Sequence, residues 1–224
     1  MIRGVVFDLD DTLLDRRQSI WNYAERFHEA FAERLSNVTI AQLSSAIFTA
    51  DGGGYRAKAE VMAELSSALP WQADLSPADF SEHWKTVYPH CCVPSDGMAT
   101  TLAELKRRGL KLGLITNGSS FAQRAKITRL GLGEWMDSVI ISDEVKLRKP
   151  DRRIFELAQK QLGLEPAELV FVGDHPINDV VGAHEAGWTA VWLRGKHEWP
   201  EDRETPSLQI ESVALTEAIL RKLT

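Results

Sequence analysis

From Pro94 onward the chain alternates between two rhythms, and this alternation limits the folds open to it. Short apolar runs at 111–116, 139–141, 169–172 and 189–193 have the length and composition of buried strands. Between and around them, residues 97–108, 120–130, 151–162 and 177–186 have helical spacing. Gly109, Gly131, Gly163 and Gly187 each stand where such a helix would stop. A last helix fits 212–223. Strands joined through helices run parallel, and a parallel sheet must be covered on both faces. A fifth apolar run, Gly4 to Phe7, lies far upstream at the N-terminus. The stretch between it and Pro94 has no strand pattern. It reads as helices near 19–35, 39–49, 55–68 and 76–87, broken at Asp51 to Gly54 and at Leu69-Pro70. The expected fold class is therefore α/β. Residues 1–15 and 95–224 form a Rossmann-like parallel sheet core with helices on both faces, and 16–94 form an inserted all-helical domain. Hinges are expected near 13–18 and 90–96.

Composition narrows the classes of function. With 44% apolar residues the chain can build a real core. Its 26 basic against 32 acidic side chains leave a net charge of −6, which argues against a nucleic-acid binder. No apolar run approaches the roughly 18–20 residues of a membrane span. The opening MIRGVVFDLDDTLL is interrupted by three aspartates and does not read as a signal peptide. Cys91 and Cys92 are adjacent, so they form neither a structural staple nor a zinc-binding spacing. A reducing, cytoplasmic setting is expected.

Ligands of doubly wound sheets bind beyond the carboxyl ends of the strands, so the residues at those ends carry the functional reading. The first run is followed by Asp8-Leu9-Asp10-Asp11-Thr12, and the second ends in Thr116-Asn117-Gly118-Ser119. The third is followed by Ser142-Asp143-Glu144 and then Lys146 to Pro150, and the fourth by Gly173-Asp174 with Asn178 and Asp179. Asp8, Asp10 and Asp174 at one sheet edge would repel one another without a cation, and an all-oxygen set suits Mg²⁺. A carboxylate beside that ion can attack phosphorus. A second carboxylate two residues on can protonate the leaving oxygen and then activate water. A hydroxyl, a backbone N–H and a lysine can hold the phosphoryl oxygens.

These four segments resemble the four motifs of the haloacid dehalogenase superfamily, and specifically its subfamily I phosphatases. They are D-x-D-x-T at Asp8–Thr12, T-N at Thr116-Asn117, K-P at Lys149-Pro150 and G-D-x-x-x-x-D at Gly173–Asp179. Their order matches the family order, and the helical insertion stands where that subfamily carries its cap. The resemblance implies a nucleophile and metal ligand at Asp8. It implies a general acid/base at Asp10, whose backbone carbonyl would also bind the metal. Thr116 and the Asn117 backbone would grip phosphate, Lys149 would balance charge, and Asp174 would bind Mg²⁺ directly. Asp179 would act through water or toward Lys149, and Thr12 would steady the loop carrying the aspartates.

The implied activity is Mg²⁺-dependent hydrolysis of a small-metabolite phosphate monoester through an aspartyl-phosphate. Three alternatives remain at this stage: a phosphosugar mutase, a haloacid dehalogenase and a non-catalytic binding protein on the same fold. Asp10 disfavours the dehalogenase, because the dehalogenases of the superfamily lack a carboxylate at that position. Sugar phosphates, nucleoside monophosphates, phosphoglycolate and a riboflavin-pathway phosphate all remain open as substrates, and the chain could be a monomer or a homodimer. Ser119 reads as a helix cap. Asp143 and Glu144 read as surface residues and His175 as a loop residue near the pocket mouth. Arg56 or Lys58 could touch an anionic substrate group or simply be solvated, and Trp21 could line the pocket.

Overall fold

The computed structural model describes residues 1–221 apart from Ser36, Asp74 and Lys196. Six strands form one sheet: β1 (Gly4–Phe7), β2 (Lys111–Thr116), β3 (Ser138–Ile141), β4 (Leu169–Gly173), β5 (Thr189–Leu193) and β6 (Gln209–Ile210). Their order is β3-β2-β1-β4-β5-β6, and every pairing is parallel. The α/β reading therefore holds. The sixth strand was not anticipated; two residues at a sheet edge are too few to carry a period.

The chain divides into two compact units, Met1–Asp15 with Pro94–Thr224, and Arg16–Val93. The second unit is all helical: α1 (Arg16–Ala30), α2 (Ile40–Asp51), α3 (Lys58–Ala68) and α4 (Pro77–Cys91). Its interior is aromatic. Tyr23 meets Trp84 edge-on at 4.7 Å, and Trp84 stacks on Tyr88 at 4.5 Å. Local signals set the helix starts: Thr39 and Gln42 form a reciprocal capping box, and Ser76 accepts from the Asp79 N–H at 3.1 Å ahead of Pro77. The helix expected at 19–35 begins earlier and ends at Ala30, because a 3-10 turn takes over at Ala32–Arg34. The one expected at 55–68 starts at Lys58, after a second 3-10 turn at Gly52–Gly54.

The sheet unit adds α5 (Met98–Arg107), α6 (Ser120–Arg129), α7 (Ser142–Val145), α8 (Arg152–Leu162), α9 (Gly182–Glu185) and α10 (Thr216–Leu220). Alternate strand residues face opposite sides of the sheet. Val6 and Phe171 lie on the side covered by Ile154, Phe155 and Ala158 of α8 and Ala183 of α9. There Phe155 meets Phe171 at 5.5 Å and Trp188 at 5.7 Å, both edge-on. The helix expected at 177–186 is instead a π-helical turn, Pro176–Val181, running into α9. The terminal helix expected at 212–223 is a 3-10 turn, Val213–Leu215, followed by α10. Its last positions, 222 and 223, lie outside the described residues.

Candidate active site

Strand order sets where the chemistry gathers. Connections leave β1 in one direction toward β2 and β3, and β4 stands on its other side. The crevice between β1 and β4 is thus the topological switch point, the usual ligand position of such sheets. Asp8 emerges from β1 with its N–H bonded to the Val172 carbonyl of β4 at 3.0 Å. Asp174 emerges from β4 beside it. The two aspartates are neighbours because their strands are neighbours, although 166 positions separate them in the chain.

Asp179 joins them through the π-helical turn. The His175 Nδ1 accepts from the N–H groups of Ile177 and Asn178, both at 3.2 Å, and so starts that turn. The Asp179 carboxylate then folds back and accepts from the His175 N–H at 2.9 Å. This leaves no room above residue 173: a Cβ on Gly173 would lie 2.4 Å from Asp179 Oδ2. Carboxylate oxygens of Asp8, Asp174 and Asp179 all lie within 4.8 Å of one another, and all three residues are buried.

Lys149 is the cation that Asp8 and Asp179 share. It is 2% exposed, and its Nζ lies 2.5 Å from Asp8 Oδ1 and 2.7 Å from Asp179 Oδ1. Burial would pull its ammonium down, but Asp179 and Asp8 outweigh that and hold it above the ordinary lysine value. Burial pushes the Asp8 carboxyl well up. Lys149 opposes that rise, while Asp179 and Asp174 add to it. Asp174 is also raised by burial, against the pull of His197, whose Nε2 lies 3.3 Å from Asp174 Oδ2. Three crowded, buried carboxylates, once ionised, carry more negative charge than Lys149 offsets. That deficit and the all-oxygen donor set fit a divalent hard cation.

The remaining motif residues build the surroundings. Thr12 donates to Asp174 Oδ1 at 3.3 Å, so it reaches across to the neighbouring strand end. Asn117 donates to the Lys149 carbonyl at 3.0 Å and accepts from the Lys149 N–H at 2.9 Å. Its side chain therefore holds the lysine's main chain. Ser119 caps α6 by accepting from the Ala122 N–H at 3.3 Å. Asp10 and Thr116 meet through Gln123, whose amide lies 3.0 Å from Asp10 Oδ2 and 2.5 Å from Thr116 Oγ1. Lys126 donates to both Asp10 oxygens, at 2.7 and 2.8 Å.

Against known proteins, a model of the haloacid dehalogenase-like hydrolases matches residues 2–187. The chain belongs to the haloacid dehalogenase-like hydrolase family. The glyceraldehyde 3-phosphate phosphatase of Methanocaldococcus jannaschii is 31% identical over 235 residues, covering 100% of this chain and 99% of that protein. The phosphoserine phosphatase of Thermus thermophilus is 39% identical over 166 residues, which span 71% of this chain and 63% of that protein. Among solved structures, the haloacid dehalogenase-like hydrolase YfnB of Bacillus subtilis, bound to magnesium, superposes with a TM-score of 0.76 at 20% identity over 98% of both chains.

Within this haloacid dehalogenase-like hydrolase, sequence reasoning missed Gln123, Lys126 and His197. Gln123 and Lys126 stand one helical turn apart on the helix that leaves the Thr116-Asn117 strand end, a spacing too common to mark a site by itself. Arg56 and Lys58, which could have served a substrate, are engaged within the helical unit. Arg56 pairs with Glu64, and Lys58 pairs with the buried Asp51. Glu144 and Asp143 receive Ser120, and Glu144 also pairs with Arg124 at 2.6 Å. Among the described residues no helix is long and apolar enough to cross a membrane.

Proposed function

We propose that this hydrolase is a Mg²⁺-dependent phosphatase that cleaves a small-metabolite phosphate monoester through an aspartyl-phosphate on Asp8. The observation that carries the reading is the buried cluster of Asp8, Asp174 and Asp179, with the Lys149 ammonium paired to Asp8 and Asp179. Crowded carboxylates that exceed their one ammonium suit a hard cation, and the all-oxygen donors favour magnesium. Asp8, Asp174 and the Asp10 carbonyl would hold that ion. Once bound, it would supply charge screening between the attacking carboxylate and the phosphoryl oxygens.

The chain's own residues do the rest. Asp8 attacks phosphorus in line with the leaving oxygen, and Asp10 gives that oxygen a proton as the bond to phosphorus breaks. Asp10 then takes a proton from the water that attacks the acyl phosphate and regenerates Asp8. The Thr116 hydroxyl and the Asn117 N–H hold the phosphoryl oxygens. Gln123 already donates to Thr116 Oγ1, which leaves the hydroxyl hydrogen for phosphate. Lys149 offsets charge beside the nucleophile, with Asp179 fixing its ammonium. Phosphatase activities named for relatives that match nearly the whole chain support a small phosphorylated metabolite. The helical unit is assigned to leaving-group selection, as the family cap. Two unbridged buried thiols, Cys91 and Cys92, fit a cytoplasmic setting.

The test is phosphate release from a panel that includes glyceraldehyde 3-phosphate and phosphoserine, with Mg²⁺, with EDTA, and with Asp8→Asn. Release should need Mg²⁺ and fall on the order of 10³-fold or more in Asp8→Asn, as expected for loss of a covalent nucleophile. Release that survives both treatments would sink the mechanism.

A further inference from the structure

Helix α6 presents two buried polar side chains to one carboxylate. Gln123 is 2% exposed and Lys126 is 7% exposed. Lysine is rarely this buried unless paired, and Lys126 grips both oxygens of Asp10, at 2.7 and 2.8 Å. Gln123 adds a third bond to Asp10 Oδ2 at 3.0 Å, and the same amide nitrogen reaches Thr116 Oγ1 at 2.5 Å. Gly118 keeps the path open, since a Cβ there would lie 2.8 Å from the Gln123 amide carbon. The carboxylate is thus held at both oxygens and tied to the phosphate-gripping hydroxyl. Lys126 does this apart from Lys149, whose ammonium serves Asp8 and Asp179.

We propose that Lys126 and Gln123 are positioning residues that hold the Asp10 carboxylate for its two proton transfers, with Gln123 registering it against Thr116. This rests on the reading of Asp10 as the general acid/base. Lys126 acts by fixing where Asp10 points, and Gln123 does so while also fixing Thr116. The cradle therefore matters in proportion to how much a leaving group needs a proton.

The experiment compares an alkyl phosphate, whose leaving oxygen needs a proton, with 4-nitrophenyl phosphate, whose leaving group departs as the anion. In Lys126→Met, kcat/KM for the alkyl ester should fall about 10²-fold, the low end of general-acid contributions. For the nitrophenyl ester it should change by less than about 3-fold, because that step draws little on the acid. For the alkyl ester KM should stay near the wild-type value, and Lys126→Arg, which keeps the charge, should recover most of the alkyl activity. Should Lys126→Met fail to fold, Lys126→Gln reads the same split; Gln123→Leu, which also frees Thr116, should lower both esters and the alkyl one further. Equal losses on both esters, or no loss, overturn the proposal. Asp10→Asn is run in parallel. If it shows no split, or if wild type is inactive, the acid/base reading falls and takes this inference with it. If Asp10→Asn splits the two esters and the α6 variants do not, only this inference falls.

Discussion

Asn117 and Lys149 clasp each other through a reciprocal pair of hydrogen bonds, the Asn117 amide to the Lys149 carbonyl at 3.0 Å and the Lys149 N–H to Asn117 Oδ1 at 2.9 Å. The backbone of a buried lysine is thereby satisfied by the loop of another strand. Its side chain is left to serve the carboxylates alone.

Removing that ammonium should be costly. Lys149→Met leaves Asp8 and Asp179 buried without their cation, a change that typically costs about 3–5 kcal/mol. Urea unfolding should show this loss, and saturating Mg²⁺ should recover part of it by taking over the neutralising role. Equal destabilisation with and without Mg²⁺ would contradict the charge-deficit account.

Gly173→Ala tests the close approach of the π-helical turn. The new Cβ would meet Asp179 Oδ2 at 2.4 Å, and Asp179 is tethered to the His175 N–H. Overpacking of this kind costs about 1–3 kcal/mol. Calorimetry should also show weakened Mg²⁺ binding as the carboxylate is displaced. Gly133→Ala is the control, because a Cβ there meets nothing within 4 Å. Similar behaviour of the two variants would refute the steric argument.

Mg²⁺ binding should depend on pH. Burial holds the carboxyl groups of Asp8 and Asp174 above their ordinary range. Protons therefore compete with the ion as the pH falls, weakening affinity by up to about tenfold per pH unit for each proton displaced. Titration calorimetry at pH 8, 7 and 6 reads the slope directly. A flat profile would mean that these carboxylates are already ionised throughout.

The helical unit carries its own pH response. Burial pulls the His83 imidazole below its ordinary value, and Tyr23 Oη stands 3.0 Å from its Nδ1. A histidine depressed in the folded state contributes fully above its unfolded pKa of about 6.5. That contribution is lost as pH falls through the lower folded value. His83→Gln should therefore flatten the decline in thermal stability between pH 7 and pH 5. An unchanged decline would place the response elsewhere.

Much of the site was legible because strand ends announce themselves. An apolar run that stops at Asp8, Thr116 or Asp174 shows both the strand and what it delivers. Lys149 was legible only through its Lys-Pro context, with Lys146 and Arg148 close by. Lys126 was not legible: on an amphipathic helix a lysine reads as solvated, and nothing nearby in sequence shows that a carboxylate covers it. Strand β6 and the π-helical turn were equally silent, one too short for a period and the other a departure from helical spacing.

Local chemistry, the period of apolar residues and the residue types at their ends, was enough to set the α/β class and to nominate Asp8, Asp10 and Asp174, while the family motifs singled out Thr116, Asn117 and Lys149. The partnerships are another matter. Asp10 and Lys126 are 116 positions apart, and Lys149 and Asp8 are 141 apart. The strand-helix alternation is compatible with several strand orders, and the order β3-β2-β1-β4-β5-β6 is the one that brings these ends together here. Which cation serves which carboxylate is decided by packing, because a charge is neutralised by whatever the folded chain places within a few ångströms of it.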